Sequence, residues 1–196
     1  MRLSYEVRAE RDDESALVTE VTREAFGPEG DAVARLPAAL TAHHLGREGL
    51  SLVAVTGTGS LIGHVQLSRC WVDDDRQLVA GLTLSPLSVL PAYQWHGVGA
   101  ALVAAALSAA DEAAEPFVML EGAPGLYRRW GFEPAADHEL LPPSRRIPGP
   151  ACQVALLASW DPGIRGALVY NDVFWTHDAV GLRGDVLEQV RAALGD

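Results

Sequence analysis

The sequence contains little cysteine and few basic residues, and both shortages narrow the class of protein. Its 196 residues include only Cys70 and Cys152, without the nearby thiols or histidines of a disulfide framework or a zinc site. Fifteen Lys and Arg stand against twenty-six Asp and Glu, a net charge of −11. That balance disfavours nucleic acid and anionic membranes as partners, because both are bound by neutralising phosphates.

The sequence also lacks long hydrophobic runs and linkers. The N-terminus has no apolar signal-peptide core, and the most apolar helix candidate, Val98 to Ala110, is too short to cross a bilayer. We therefore expect a cytoplasmic protein, a setting that also suits free thiols. No Gly-, Pro- or Ser-rich segment divides the chain, and 48% of its residues are hydrophobic, so we predict a single domain over residues 1–196.

Hydrophobic periodicity predicts a mixed α/β fold. Three consecutive strands suggest an antiparallel meander, and a strand, helix, strand order after it suggests a parallel crossover. Pro37 should kink the second helix or delay its start. The predicted elements are a strand at Ser4 to Ala9, helices at Asp13 to Phe26 and Ala32 to Leu45, strands at Leu50 to Val55, Leu61 to Val72 and Leu78 to Leu90, a helix at Val98 to Ala114, a strand at Pro116 to Glu121 and a short helix at Leu126 to Trp130.

The C-terminal third, residues 137–196, is predicted to complete the same domain. A Pro-rich loop is followed by strands at Ala151 to Ser159 and Ala167 to Phe174. Asp185 and Glu188 are placed to cap a final helix. The last strand, together with Phe174 and Trp175, is a candidate edge for a homodimer.

Chemistry is indicated most clearly where Gly97-Val98-Gly99 opens a helix. The first amides of a helix have no partner within it, and glycine removes the Cβ atoms that would block an approaching phosphate. One interpretation is a dinucleotide-binding oxidoreductase with Glu121 as the ribose-binding acid. Leu102 at the third glycine position, and the six residues Pro91 to His96 between strand and glycines, disfavour it.

A second interpretation rests on two motifs in sequence order. The pattern V-x-P-x-x-Q-x-x-G-x-G-A resembles the acetyl-CoA-binding motif of the GNAT superfamily of N-acetyltransferases, and Leu126 to Phe132 resembles that family's L-Y-x-x-x-G-F segment. The resemblance extends over Leu50 to Phe132. It implies a central mixed sheet, antiparallel in its N-terminal part and parallel at the cofactor site, with helices on both faces. The first pattern consists of Val89, Pro91, Gln94, Gly97, Gly99 and Ala100.

The resemblance also implies a role for each matching residue. Pantetheine would pair with the strand at Leu87 to Val89, and the pyrophosphate would lie on Trp95 to Ala100. Because Trp95 and His96 stand where the family often has basic residues, phosphate binding would depend on backbone amides or on Arg128 and Arg129. The implied acetyl-CoA-binding residues are Leu87, Ser88, Val89, Gln94, Trp95, His96, Gly97, Val98, Gly99 and Ala100.

Tyr127 matches the family's tyrosine that protonates the departing thiolate of coenzyme A, and no metal is implied. A general base is less clear, since Glu121, His64 and a water chain are all candidates. The implied activity is direct acetyl transfer to a primary amine of a small molecule or a peptide. We expect the first two helices, the strand Leu61 to Val72 and the C-terminal segment to line the acceptor pocket. A noncatalytic acyl-CoA-binding regulatory module is the alternative.

Overall fold

The computed structural model describes residues 3–42 and 46–195. The chain forms two compact units, Met1–Ser68 with Leu84–Ala109, and Arg69–Thr83 with Ala110–Asp196. The strands are β1 Tyr5–Ala9, β2 Gly46–Thr56, β3 Leu61–Asp73, β4 Leu78–Val89, β5 Phe117–Glu121, β6 Glu133–Pro134, β7 Leu140–Leu141, β8 Cys152–Leu156 and β9 Gly166–Tyr170. The α-helices are α1 Ser15–Phe26, α2 Gly30–Val33, α3 Leu36–Ala42, α4 Val98–Glu112, α5 Pro124–Tyr127, α6 Asp172–Thr176 and α7 Gly184–Leu194.

The first unit is built on the predicted antiparallel strands. β1 pairs with β2 and β2 pairs with β3, and the second half of β4 follows β3 in strand order. The turn between β2 and β3 closes with the Thr56 amide donating to the Ser60 carbonyl (2.9 Å). Apolar side chains of α1 pack on this sheet, because the helical spacing places them on one face. The buried cluster contains Val18, Val21, Val53, Val55 and Leu61.

Helix α4 lies close against β3 because Gly63 of β3 has no side chain at the contact. A Cβ built on Gly63 of β3 would be 3.0 Å from Leu102 Cδ1 and 3.2 Å from Val98 Cγ1, both on α4. It would also be 3.0 Å from the backbone oxygen of Ser88. The hydrogen of Gly63 therefore determines how near the first turns of α4 come to the sheet.

The second unit contains the predicted parallel pairing. β4 pairs with β5 in parallel at Leu82↔Val118 and Thr83↔Met119, and β5 continues antiparallel to β8. The Phe117 ring packs directly on Gly81, where an added Cβ would lie 2.3 Å from the ring carbon Cζ. The structure thus confirms the mixed α/β class and the antiparallel and parallel pairings of the sheet.

Two predictions about local elements were wrong in detail. The helix predicted at Ala32 to Leu45 is split into α2 and α3, with Pro37 as the second residue of α3, where its missing N–H costs no helix bond. Leu45 lies outside the described residues. Helix α7 forms, but Arg183 precedes it and no side chain caps it, so Asp185 and Glu188 do not make the predicted capping box.

The C-terminal strand is shorter than predicted. β9 ends at Tyr170, and Phe174 and Trp175 belong to α6. β9 pairs with β3 at Cys70–Asp73, and β7 pairs only with its first two residues, Gly166 and Ala167. The homodimer edge that was predicted for this strand together with Phe174 and Trp175 stays a prediction.

Two further observations concern the described part of the chain. None of its helices is long and apolar enough to cross a membrane. Within residues 3–42 and 46–195, no three His, Cys, Asp or Glu side chains form a group suited to a metal ion. The prediction of a single domain over the whole chain remains a prediction.

Candidate active site

The glycine loop, residues 94–100, is held in place by its own side chains. The Gln94 amide donates to the Val89 carbonyl at the end of β4 (3.1 Å). His96 Nδ1 donates to the Gln94 carbonyl (2.7 Å), since a carbonyl oxygen can only accept. These two bonds leave Trp95 at the tip of the loop with a left-handed φ of 66°.

Helix α4 begins immediately after Gly97, whose φ is 85°. The first helix bond runs from the Ala101 amide to the Gly97 carbonyl (3.0 Å), so the amides of Val98, Gly99 and Ala100 precede the helical ladder. A Cβ built on Gly97 would meet nothing nearer than the Tyr5 hydroxyl, at 3.7 Å. An anion can therefore approach the positive end of α4 without a steric obstacle.

Near the C-terminal end of β4, every second residue turns its peptide groups away from β3. The Leu90 amide donates to Ile62 of β3 (3.0 Å), so strand alternation turns the peptide groups of Leu87 and Val89 away from β3. The parallel ladder with β5 ends at Thr83. Ser88 is fully buried and its hydroxyl donates to Thr22 Oγ1 of α1 (3.2 Å), and the same alternation turns its backbone toward β3, so Leu87 and Val89 are the residues whose peptide groups face a ligand.

Tyr127 ends the short helix α5, and its ring is fixed by the residues around it. Trp130 and Phe132 meet the ring edge-on, with centroid distances of 5.4 and 5.9 Å. The other neighbour is backbone, because a Cβ on Gly122 would lie 2.2 Å from Tyr127 Cε2. Gly131, at φ 91°, turns the chain between the two packing aromatics. The aromatic positions of the second motif thus orient one phenol.

Burial raises the pKa of Tyr127 to about 12. The phenol consequently keeps its proton throughout the neutral range and is a proton donor there. Arg128 and Arg129, which follow it in the chain, are exposed.

His64 is fully buried on β3 and shares a hydroxyl with a carboxylate. Its Nε2 lies 2.9 Å from Ser51 Oγ on β2, and the same hydroxyl donates to the carboxylate of Glu10. Because the hydroxyl proton is used toward Glu10, His64 donates its Nε2–H to Ser51. His64 Nδ1 is buried without a hydrogen-bond partner in the described structure. Burial lowers the pKa of His64 to about 3 and raises that of Glu10.

A pH dependence of stability follows from the neutral state of His64. The pKa of His64 in the folded protein, about 3, is below the ordinary value of about 6.5. The stability that neutral His64 contributes is therefore fully present above pH 6.5 and is lost as pH falls toward 3. Between pH 7 and 5.5 the wild type should lose about 1 kcal/mol that a His64→Gln variant does not lose. Denaturant unfolding at both pH values measures the difference.

The comparison of the two proteins isolates His64, because every other ionisable residue is present in both. The raised pKa of Glu10 has the opposite effect on stability, adding stability as pH falls, and it acts in both proteins, so it does not enter the difference between them. Equal losses in both proteins would show that His64 does not remain neutral.

Glu121 is engaged within the second unit. Its carboxylate accepts the Gly181 amide (3.0 and 3.3 Å) and the Tyr170 hydroxyl. Burial raises its pKa, and these two donors and Arg146 oppose that rise. His64 and Glu121, the two candidate bases, therefore both have structural partners, and each lies in a different unit from the other.

Several residues that shape the site were not singled out from the sequence. Gly63 leaves room for α4 to pack on β3, and Gly122 leaves room for the Tyr127 ring. Tyr5 places its hydroxyl beside Gly97. The contacts of Gly63 and Tyr5 join segments distant in sequence, and that of Gly122 depends on the turn into α5, so no residue pattern marks any of the three. The signal for Gly63 and Gly122 was only the presence of glycine within or directly after a strand.

Comparison with known proteins agrees with this architecture. Residues 47–134 match the acetyltransferase (GNAT) domain family. The chain is 35% identical over 153 residues to the uncharacterized N-acetyltransferase YhbS of Escherichia coli K12, covering 74% of this chain and 85% of that protein. It is 31% identical over 131 residues to the uncharacterized N-acetyltransferase YjhQ of the same strain, covering 67% of this chain and 71% of that protein.

Solved structures give the same result. The crystal structure of Escherichia coli YhbS in complex with CoA superimposes with a TM-score of 0.78 at 30% identity, covering 88% of this chain and 92% of that one. A GNAT family acetyltransferase from Brucella melitensis in complex with acetyl-CoA gives 0.69 at 26% identity, covering 87% and 97%. The fold thus defines the class of GNAT acetyltransferases. This chain belongs to the GNAT superfamily of N-acetyltransferases, as the two motifs predicted.

Proposed function

We propose that the protein transfers an acetyl group from acetyl-CoA to a primary amine. The observation that carries the proposal is the start of α4, where three amides precede the helical ladder beside a glycine with open space above it. Two related structures were solved with CoA and with acetyl-CoA, which supports acetyl-CoA as the cosubstrate here.

The residues of the first unit fit the two halves of that cosubstrate. The amides of Val98, Gly99 and Ala100 and the N-terminal dipole of α4 would bind the pyrophosphate. The Tyr5 hydroxyl beside Gly97 adds a neutral donor. The outward-turned peptide groups of Leu87 and Val89 would pair with the pantetheine amides as an added strand does. Gln94 and His96 would act by fixing the loop.

Acyl transfer also needs a proton for the leaving thiolate. Tyr127 would supply it, because a phenol is protonated at neutral pH and the edge-on packing of Trp130 and Phe132 limits the motion of its ring. The neutral amine would attack the thioester carbonyl, whose oxygen the β4 backbone amides would polarise. The base that deprotonates the amine remains open between His64, Glu121 and water.

The acceptor is proposed as a small-molecule or peptide amine. A net charge of −11 favours the approach of cationic amines through long-range attraction. The variable helices of the first unit and the C-terminal segment would determine which amine is accepted.

Binding and turnover are tested separately. Calorimetry with acetyl-CoA, CoA and NAD(H) should give heat with the first two and none with the last. Thiol release from acetyl-CoA should then depend on an added amine in a panel of polyamines, aminoglycosides, amino acids and peptides. Acetyl-CoA binding without thiol release for any amine would favour the noncatalytic module, and absence of acetyl-CoA binding would contradict the proposal.

A further inference from the structure

Trp95 is the most exposed of the large hydrophobic side chains in the described structure. Its side chain is 92% exposed, whereas Trp175, another exposed indole, is 45% exposed. Water does not favour so large an apolar surface, and an isolated fully exposed tryptophan at a loop tip gains almost nothing from packing. The indole is therefore a flat surface for which the chain itself supplies no partner.

The backbone conformation at Trp95 is one that tryptophan rarely adopts. A φ of 66° is left-handed, and for a bulky residue it carries a conformational cost that glycine would avoid. The loop is bonded on both sides of Trp95, by the Gln94 bond to Val89 and by the His96 bond to Gln94. The loop backbone thus presents an indole to the solvent two residues before Gly97.

A groove lies beside the loop that carries Trp95, and Trp95 itself is not among the residues that line it. The groove has a volume of about 450 Å³ and lies between Tyr93 and His96 on one side and the β2–β3 turn at Thr58 on the other. Among the described residues that line it there is no carboxylate and no guanidinium. Such a groove suits a ribose and a neutral aromatic base better than a further charged group.

We propose that the indole of Trp95 stacks on the adenine base of coenzyme A. This rests on the proposed function, which places the pyrophosphate on the amides of α4, one ribose away from the base. Base–aromatic stacking requires only a planar ring at the right distance, so it needs no hydrogen-bond partner on the loop. Stacking on Trp95 would then add to the affinity for the nucleotide half of the cosubstrate. It would do so in a loop that has no Lys or Arg side chain to bind the phosphates.

The test compares acetyl-CoA with acetyl-pantetheine, which has the same thioester but no nucleotide. Calorimetry is carried out on the wild type, Trp95→Gly and Trp95→Phe. The glycine variant should bind acetyl-CoA at least about fivefold more weakly and acetyl-pantetheine unchanged, because only the stacked base is lost. The phenylalanine variant should stay within about twofold of the wild type for both ligands.

Trp95→Gly is suited to this test because glycine adopts the same φ without strain, so the loop should keep its shape and the melting temperature should not fall. Trp175→Ala is the matched control, since it removes an exposed indole from α6 and should change neither affinity. As a second measurement, adenosine 3′,5′-bisphosphate should quench the tryptophan fluorescence of the wild type and of Trp175→Phe, but much less that of Trp95→Phe.

Each contrary outcome has a distinct meaning. Wild-type affinity for acetyl-CoA in Trp95→Gly would overturn stacking and leave the proposed function intact. Equal loss of both ligands would also overturn it, because the loop and not the base would then be affected. A dimer that dissociates in Trp95→Gly at unchanged affinity would assign the indole to a second copy of the chain. No binding of acetyl-CoA by the wild type would reject the proposed function itself.

Discussion

Replacing Gly97 with aspartate is expected to weaken acetyl-CoA binding at least about a hundredfold while α4 remains folded. An aspartate before the helix places a negative charge beside the free amides that the pyrophosphate needs, and that charge repels the phosphates at close range. Because Gly97 has a φ of 85°, a side chain there strains the backbone, so the melting temperature should fall and the affinity is measured well below it. Calorimetry with acetyl-CoA measures the affinity, and the melting temperature measures the fold.

Gly97→Asn separates charge from shape. Asparagine also places a side chain at the left-handed φ, but it is neutral. We expect its affinity to lie between those of the wild type and the aspartate variant. If all three proteins bind acetyl-CoA alike, the pyrophosphate does not lie at the start of α4.

Removing the Tyr127 hydroxyl with Tyr127→Phe is expected to slow acetyl transfer at least about tenfold and to leave acetyl-CoA affinity almost unchanged. Positioned acid catalysis typically contributes a hundredfold to ten-thousandfold, and water replaces part of it. The measurement is a single-turnover rate with an identified amine, because slow product release can hide a chemical defect in steady-state turnover. If the variant has the wild-type rate at every pH, the hydroxyl takes no part in the reaction and Tyr127 serves only in packing.

A pair of glycine variants tests the position of that hydroxyl independently of its presence. Gly122→Ala adds a methyl group 2.2 Å from the Tyr127 ring and should displace it, lowering the rate although the phenol remains. Gly125→Ala is the control, because a Cβ there meets nothing within 4 Å. Equal rates in the two variants would show that the orientation of the ring does not matter.

Much of the fold could be predicted because its signals are local. Helix α4 and the strands on either side of it follow from periodicity, and the glycine loop follows from consecutive residues. The segment after Tyr170 could not be assigned correctly, because a short apolar run is compatible with either strand or helix. Phe174 is buried in the helix that forms, as it would have been in a strand, so its hydrophobicity did not distinguish the two.

The site could be predicted only where its residues adjoin in sequence. The motifs identified the loop and Tyr127, but the hydrogen bonds of His64 and Glu121 depend on chain segments far away in sequence, such as Glu10 and Gly181. The exposure of Trp95 likewise depends on two hydrogen bonds made by its neighbours. The residue types indicated the chemistry, but only the three-dimensional contacts show which polar side chains already have hydrogen-bond partners.

The clearance at Gly63 limits how this scaffold can be redesigned. Under the proposed function, the first amides of α4 would receive the phosphates, and this helix packs on β3 at Gly63, where there is no side chain. Any side chain at position 63 would therefore move those amides away from the strand edge that would bind pantetheine. A variant with a larger residue at position 63 would therefore be unable to bind the pyrophosphate and the pantetheine at the same time in their proper positions. Trimming Leu102 on the facing helix is the compensating change that would restore the spacing.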